Sequence, residues 1–260
     1  MSTPARVADF QMAPPTGRGR SFRAVRRVRL GDASPQGRLR LDALARYLHD
    51  VANDDSRDAA WSDPHWWVVR RTVVDVRDFP VYLQEIALTT WCGGTGSHWA
   101  ERRTRIEALD GTVLADAASL WVHVDSTTLA PSRVPDDVAH VLAESSAGRK
   151  VNARLLLGRD DEAPPGRTRD TGSFGWPLRF SDFDVVGHLN NAAYWEALEE
   201  VLAGVRSLRA PMRAVMEHVA QVEPGGRLDV SWIGDDTERR LTLVENGDVR
   251  AEAWAGPLPG

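Results

Sequence analysis

A chain of 260 residues with 42% hydrophobic side chains can bury one large or two small cores, and none of its apolar runs approaches the ~18 residues of a membrane span. Its net charge of −5 argues against general nucleic-acid binding. The single cysteine, Cys92, excludes an internal disulfide and a cysteine metal cluster and reads as a small strand residue after Trp91. The opening MSTPARVADFQMAPPTGRGR lacks the apolar core of a signal peptide, which points to a cytoplasmic protein with a flexible tail over residues 1–20.

Arg18, Arg20, Arg23, Arg26, Arg27 and Arg29 come next. They suit either the solvated face of a strand or a surface that steers an acidic partner. Leu41, Leu44, Ala45, Leu48, Val51 and Ala52 then recur with helical spacing, and the stripe ends near Asn53-Asp54-Asp55. Runs at 66–77, 85–92, 98–107 and 113–124 are rich in Val, Thr, Trp and Ile. With turn signals at Gly93-Gly94 and Asp110-Gly111, they read as antiparallel strands. Residues 141–172, rich in Pro, Gly and charge, read as a linker with a possible strand at 151–157. A second helix carries Leu189, Ala193, Ala197 and Val201 beside Tyr194, Leu198 and Leu202. Strands are expected near 175–180, 212–222, 227–233, 239–245 and 248–254, with Asn246-Gly247 or Gly247-Asp248 as a hairpin turn.

The two halves are copies of one another. Sliding residues 31–48 onto 181–198 at a constant offset of 150 aligns Asp32 with Asp182, Gly37 with Gly187, Leu39 with Leu189 and Leu48 with Leu198. Each half reads as strand, long helix and several strands, an α+β pattern with repeats at 21–140 and 173–260. At that offset Asp184 corresponds to Ser34 and His188 to Arg38, so chemistry is expected in the second copy alone, with the first as pocket wall.

In the second copy, SDFDVVGHLNNAAYWEALEE (181–200) sets Asp184 and His188 before a helix that Asn190 or Asn191 can cap. A carboxylate, a polar neighbour and unpaired N–H donors aimed at one point suit attack on a carbonyl whose oxygen becomes negative. Acyl transfer to water is the reaction these residues suggest. The seven histidines show no ligand spacing, so no metal and no cofactor are expected.

Asp182, Asp184, Gly187, His188, Asn190, Asn191 and Tyr194 form the D-x-D-x-x-G-H-x-N-N-x-x-Y pattern of hotdog-fold thioesterases. LARYLHDVAND (44–54), WWVVRRTVVDV (66–76), TTWCGG (89–94) and SLWVHVDSTTLAPSRVP (119–135) look like the acyl-acyl carrier protein thioesterases of plastids and bacteria. The resemblance covers almost everything after residue 20. It implies a double hotdog, two tandem repeats each wrapping an antiparallel sheet round a helix, that hydrolyses fatty acyl-acyl carrier protein or acyl-CoA. Its partner would be a carrier protein with a phosphopantetheine-linked acyl chain, and a monomer or a homodimer both fit.

The resemblance makes Asp184 the base or nucleophile, with His188 orienting it and the N–H groups around His188 to Asn190 polarising the carbonyl. Gly187, Leu189 and Asn190, with Trp66 and Trp67, are the candidate substrate contacts, and His98 and Trp99 are further candidates for the acyl channel. Two departures matter. Val186 stands where the plastid-type motif has Asn, and aligning VMEHVAQV (215–222) to the family's next strand puts Gln221 where a glutamate belongs and Val222 where plants often have cysteine. Cysteine catalysis is thereby excluded, and Gln221 could hold a water without taking its proton. A two-residue shift would bring Glu223 into that role. A double hotdog that binds acyl chains without hydrolysis, and a hotdog hydratase or dehydratase, are the other readings.

Overall fold

The computed structural model describes residues 3–61, 67–158, 170–205 and 208–259. After a single helical turn, α1 (Ala5–Ala8), the first half runs β1 (Ser21–Arg27), α2 (Leu41–Asp58), β2 (Trp67–Val76), β3 (Glu85–Thr95), β4 (Trp99–Ala108) and β5 (Val113–His123). A helix α3 (Asp136–Ser145) follows. The second half runs β6 (Asp170–Pro177), α4 (Ala193–Ala203), β7 (Met212–His218), β8 (Arg227–Gly234), β9 (Arg239–Glu245) and β10 (Asp248–Pro257). All ten strands form one antiparallel sheet in the order β1-β3-β4-β5-β2-β7-β10-β9-β8-β6. It is the double hotdog, with the halves joined where β2 pairs β7 from Arg71↔Glu217 to Val76↔Met212. No described helix is long and apolar enough to cross a membrane.

The apolar stripes of α2 and α4 pack into one core with the inner face of the sheet. Leu41, Leu44, Leu48 and Val51 meet Leu198, Trp195 and Tyr194 there. Helix α2 continues past its expected end near residues 53–55 because the Asp55 carboxylate is held by Arg20 and Arg102 (2.7 and 2.5 Å), which removes the cost of burying it.

The duplication extends to individual hydrogen bonds. The Arg29 and Arg179 N–H groups donate to the carboxylates of Asp32 and Asp182, closing matching 3-10 turns. Ser34 N–H donates to Arg38 O as Asp184 N–H does to His188 O (2.7 and 2.9 Å). Arg40 N–H donates to Asp32 O as Asn190 N–H does to Asp182 O (3.0 and 2.8 Å).

Several expectations change. Gly93-Gly94 is not a turn but lies inside β3 at a bulge between Cys92 and Gly94; a Cβ on Gly93 would sit 2.4 Å from the Arg103 side chain, so close approach explains that glycine. The start of the expected linker is the last turn and a half of α3. Residues 151–157 form no strand; instead Leu156 and Leu157 donate their N–H groups to Glu217 (2.6 and 3.1 Å) on the sheet's outer face. Strand β7 ends at His218, so Gln221 lies beyond it in a loop.

Residues 3–20 are packed where a flexible tail was expected. Val7 is buried, and the Phe10 ring lies 5.2–5.9 Å from the guanidinium carbons of Arg71, Arg103 and Arg213. The Arg213 Nη1 group donates to Val7 O and Phe10 O (2.6 and 2.9 Å). Buried arginines on the outer face need acceptors, and this segment supplies them. The basic cluster is also partly spent within the chain: Arg20 pairs with Asp55 and Asp58, Arg26 with Asp54 and Arg27 with Glu85.

Candidate active site

A cavity of about 800 Å3 opens between the halves, within the ~300–1,000 Å3 range of small-molecule pockets. Its apolar wall comes from the first half: Trp61, Trp67, Ala100 and Trp121, closed by Leu142 of α3. From α2, His49 and Asn53 face it one turn apart. The second half contributes Phe183, Asp184, Asn190 and Asn191. One repeat therefore supplies the wall and the other the loop that carries the acid.

The loop is held by its own backbone. Asp184 Oδ1 accepts the N–H groups of Val186 (2.9 Å) and His188 (3.3 Å), and Gly187, at φ +86°, closes the turn through an N–H donated to Asp184 O (3.0 Å). Asp184 Oδ2 has no hydrogen bond among the described residues. The Asn190 side chain accepts the Ala192 N–H (2.9 Å) in an Asx turn just before α4, whose N-cap is Ala192 and not the expected Asn190 or Asn191.

Asp184, Asn190 and Trp67 thus come together at the cavity. His188 is half-buried and Gly187 exposed, and neither lines it. Leu189 is buried in the core with its N–H donated to Val222 O (3.0 Å). Gln221 and Glu223 are exposed in the loop after β7 and do not line the cavity. Nor do His98 and Trp99: the Trp99 indole is tied to Val151 O (2.9 Å). Trp66 lies outside the described residues.

The expected oxyanion donors are also occupied. His188 N–H goes to Asp184, Leu189 N–H to Val222 and Asn190 N–H to Asp182 (2.8 Å), because the turn before α4 needs all three to hold its shape. The next N–H, on cavity-lining Asn191, has no acceptor among the described residues.

Two of the seven histidines have surroundings that the sequence does not reveal. His49 stands edge-on to Trp121 (5.7 Å between ring centres, 73°), close enough to Asp184 for the carboxylate to oppose the effect of burial. Burial prevails and brings its pKa down to about 4. His218, at the end of β7, packs edge-on to Tyr194 (4.9 Å, 77°), and neither ring nitrogen has a partner. Its pKa falls to about 3, through burial first and then the charges of His49 and Arg70. Both imidazoles are neutral near pH 7. The signal for His218 was strand alternation: Glu217 points to the outer face, so its neighbour points inward to the helices. No group of three or more His, Cys, Asp or Glu that could hold a metal occurs among the described residues.

Residues 19–142 match the acyl-ACP thioesterase N-terminal domain family and residues 167–254 the acyl-ACP thioesterase C-terminal domain family. An uncharacterized Mycobacterium tuberculosis protein is 29% identical over 250 residues, covering 95% of this chain and 96% of that one. A chloroplastic acyl-[acyl-carrier-protein] hydrolase of Cuphea viscosissima is 26% identical over 200 residues, which span 70% of this chain and 47% of the plant protein. Among solved structures, the 12:0-ACP thioesterase from Umbellularia californica superposes with a TM-score of 0.72 over 92% of this chain and 98% of that one, at 19% identity, a likeness of fold. With both family domains present in order on a double hotdog, the chain belongs to the acyl-ACP thioesterase family and is a thioester hydrolase.

Proposed function

We propose that the protein releases fatty acids from acyl-acyl carrier protein, with Asp184 as the general base. The observation that carries this is the cavity of about 800 Å3 whose lining brings together Trp61, Trp67, Trp121 and Asp184, with a main-chain N–H on Asn191 that has no acceptor among the described residues. An acyl chain would lie against Trp61, Trp67 and Trp121, with its phosphopantetheine thioester at the loop 183–191. Water attacks the carbonyl carbon as its proton passes to the Asp184 carboxylate. The C–S bond of the tetrahedral intermediate then breaks, and that proton leaves with the sulfur as thiol. Family membership supports the carrier protein as the acyl donor.

Thiol release measured on carrier protein and on coenzyme A, over acyl chains of varied length, tests this. Asp184→Asn is expected to lower kcat by roughly 10²–10⁴-fold with the fold unchanged. Full activity in that variant, or affinity without turnover in the parent, would refute it. Gln221→Ala is expected to change kcat/KM less than about twofold, because that side chain is outside the cavity. A large loss would place residue 221 in the site.

A further inference from the structure

The site's counterpart in the other half is filled, and what fills it is a carboxylate. At the offset of 150, the pairs 184 and 34, 188 and 38, 191 and 41, and 49 and 199 correspond. In the first-half loop, Glu199 reaches across from α4. Its Oε2 accepts the buried Leu41 N–H at the start of α2 (3.1 Å), and its Oε1 pairs with Arg38 (2.5 Å). A negative oxygen therefore occupies the position where that helix begins. The hydrogen-bond frames of the two loops match as far as residues 40 and 190, so the corresponding position exists in the turn that leads into α4. There the equivalent N–H, on Asn191, has no acceptor among the described residues, and the equivalent of Glu199 is His49. The carboxylate has become an imidazole, and both residues line the cavity.

We propose that His49, brought by the first repeat, donates a hydrogen bond to the thioester carbonyl oxygen together with the Asn191 N–H, in the place that the Glu199 carboxylate takes in the counterpart. This rests on the hydrolytic reading above and adds a catalytic residue to it. The geometry is supplied from three sides: α2 carries His49, near-perpendicular packing with Trp121 sets its ring plane, and the 183–191 loop brings the main-chain donor and Asp184. A neutral imidazole always carries one N–H and so can donate. The burial that holds the His49 pKa near 4 keeps it in that form at working pH, while the uncharged ring leaves the position open to an incoming oxygen. Substrate oxygen gains most from both donors when it becomes negative, so the contribution falls on kcat rather than on KM.

The experiment compares His49→Ala, His49→Gln and His49→Glu with Asp184→Asn by thiol release from acyl carrier proteins loaded with 8- to 18-carbon chains, each variant checked for an unchanged melting transition. His49→Ala is expected to lower kcat about 100-fold with KM within a few-fold. His49→Gln, which restores a neutral donor, is expected to recover most of that loss, and it carries the test if the alanine variant does not fold. His49→Glu is expected to reproduce the closed counterpart by occupying the Asn191 N–H itself, and to fall to the level of Asp184→Asn. Wild-type kcat in His49→Ala or His49→Glu, with Asp184→Asn lowered as expected, overturns this inference and leaves the hydrolytic reading standing. Full activity in Asp184→Asn refutes the hydrolytic reading, and this inference with it.

Discussion

Asp75→Ala is expected to destabilise the protein by about 3–5 kcal/mol, because it strips the partner from a buried guanidinium at the joint between the halves. Asp75 and Arg213 face each other across β2 and β7, with Nε to Oδ1 at 2.6 Å and Nη2 to Oδ2 at 2.7 Å, and both side chains are buried. The third guanidinium nitrogen, Nη1, holds the N-terminal segment through Val7 O and Phe10 O, so one arginine ties two packing events together. Removing the carboxylate leaves that charge in place without compensation, whereas replacing both partners by Leu and Met is expected to cost much less. Urea denaturation monitored by tryptophan fluorescence measures it, with a fall in melting temperature of roughly 10 °C. Arg27→Ala, which removes a solvent-exposed pair with Glu85, should change stability by less than about 1 kcal/mol. Equal losses in the two variants would show that the joint is no more sensitive than the surface.

Acidification is expected to weaken the fold between pH 7 and pH 5 through His218. Its folded-state pKa of about 3 lies below the ~6.5 of an unfolded chain, so in that window the unfolded state binds the extra proton. The stabilisation is complete above about pH 6.5 and declines as pH falls, at about 1.4 kcal/mol per pH unit, toward the folded value. His49, also depressed, acts in the same direction. His218→Leu removes the titrating ring and two buried nitrogens that lack partners, and it keeps the apolar contact with Tyr194. Relative to the parent, its difference in urea-unfolding free energy between pH 7 and pH 5 should shrink by about 2 kcal/mol. An unchanged difference would mean that His218 is hydrated or paired in solution.

The elements with regular patterns were legible and the irregular ones were not. Strands β2 and β5 and helices α2 and α4 carry dense Val, Leu and Ala with clear patterns, so their sites and types follow from local sequence. Strand β6, by contrast, lies over Asp170–Pro177, with Gly172, Gly175 and Pro177 inside it. It is a strand because β8 pairs with it and because Trp232 covers Gly172, where a Cβ would meet the indole at 2.6 Å. Helix α3 had a readable start in Pro135 followed by Asp136 and Asp137, and Val138 and Leu142 one turn apart, yet the surrounding Pro and Gly obscured it. At the site, Asp184 and Asn190 could be placed because a local motif carries them. Gln221 could not, because its position depends on where β7 stops, and β7 stops at His218. His49 was hidden for another reason: the carboxylate that acts on it, Asp184, belongs to the other repeat, 135 residues away.

The described residues that line the cavity, from Arg20 to Asn191, come from both repeats of one polypeptide. An enzyme whose pocket is shared between separate subunits loses activity as it is diluted below its dissociation constant. Here covalent continuity holds the two repeats together, so the approach of α2 to the 183–191 loop does not depend on protein concentration. At one place the two copies differ: in the first, Glu199 takes the N–H at the start of α2, and in the second the corresponding N–H, on Asn191, has no acceptor among the described residues.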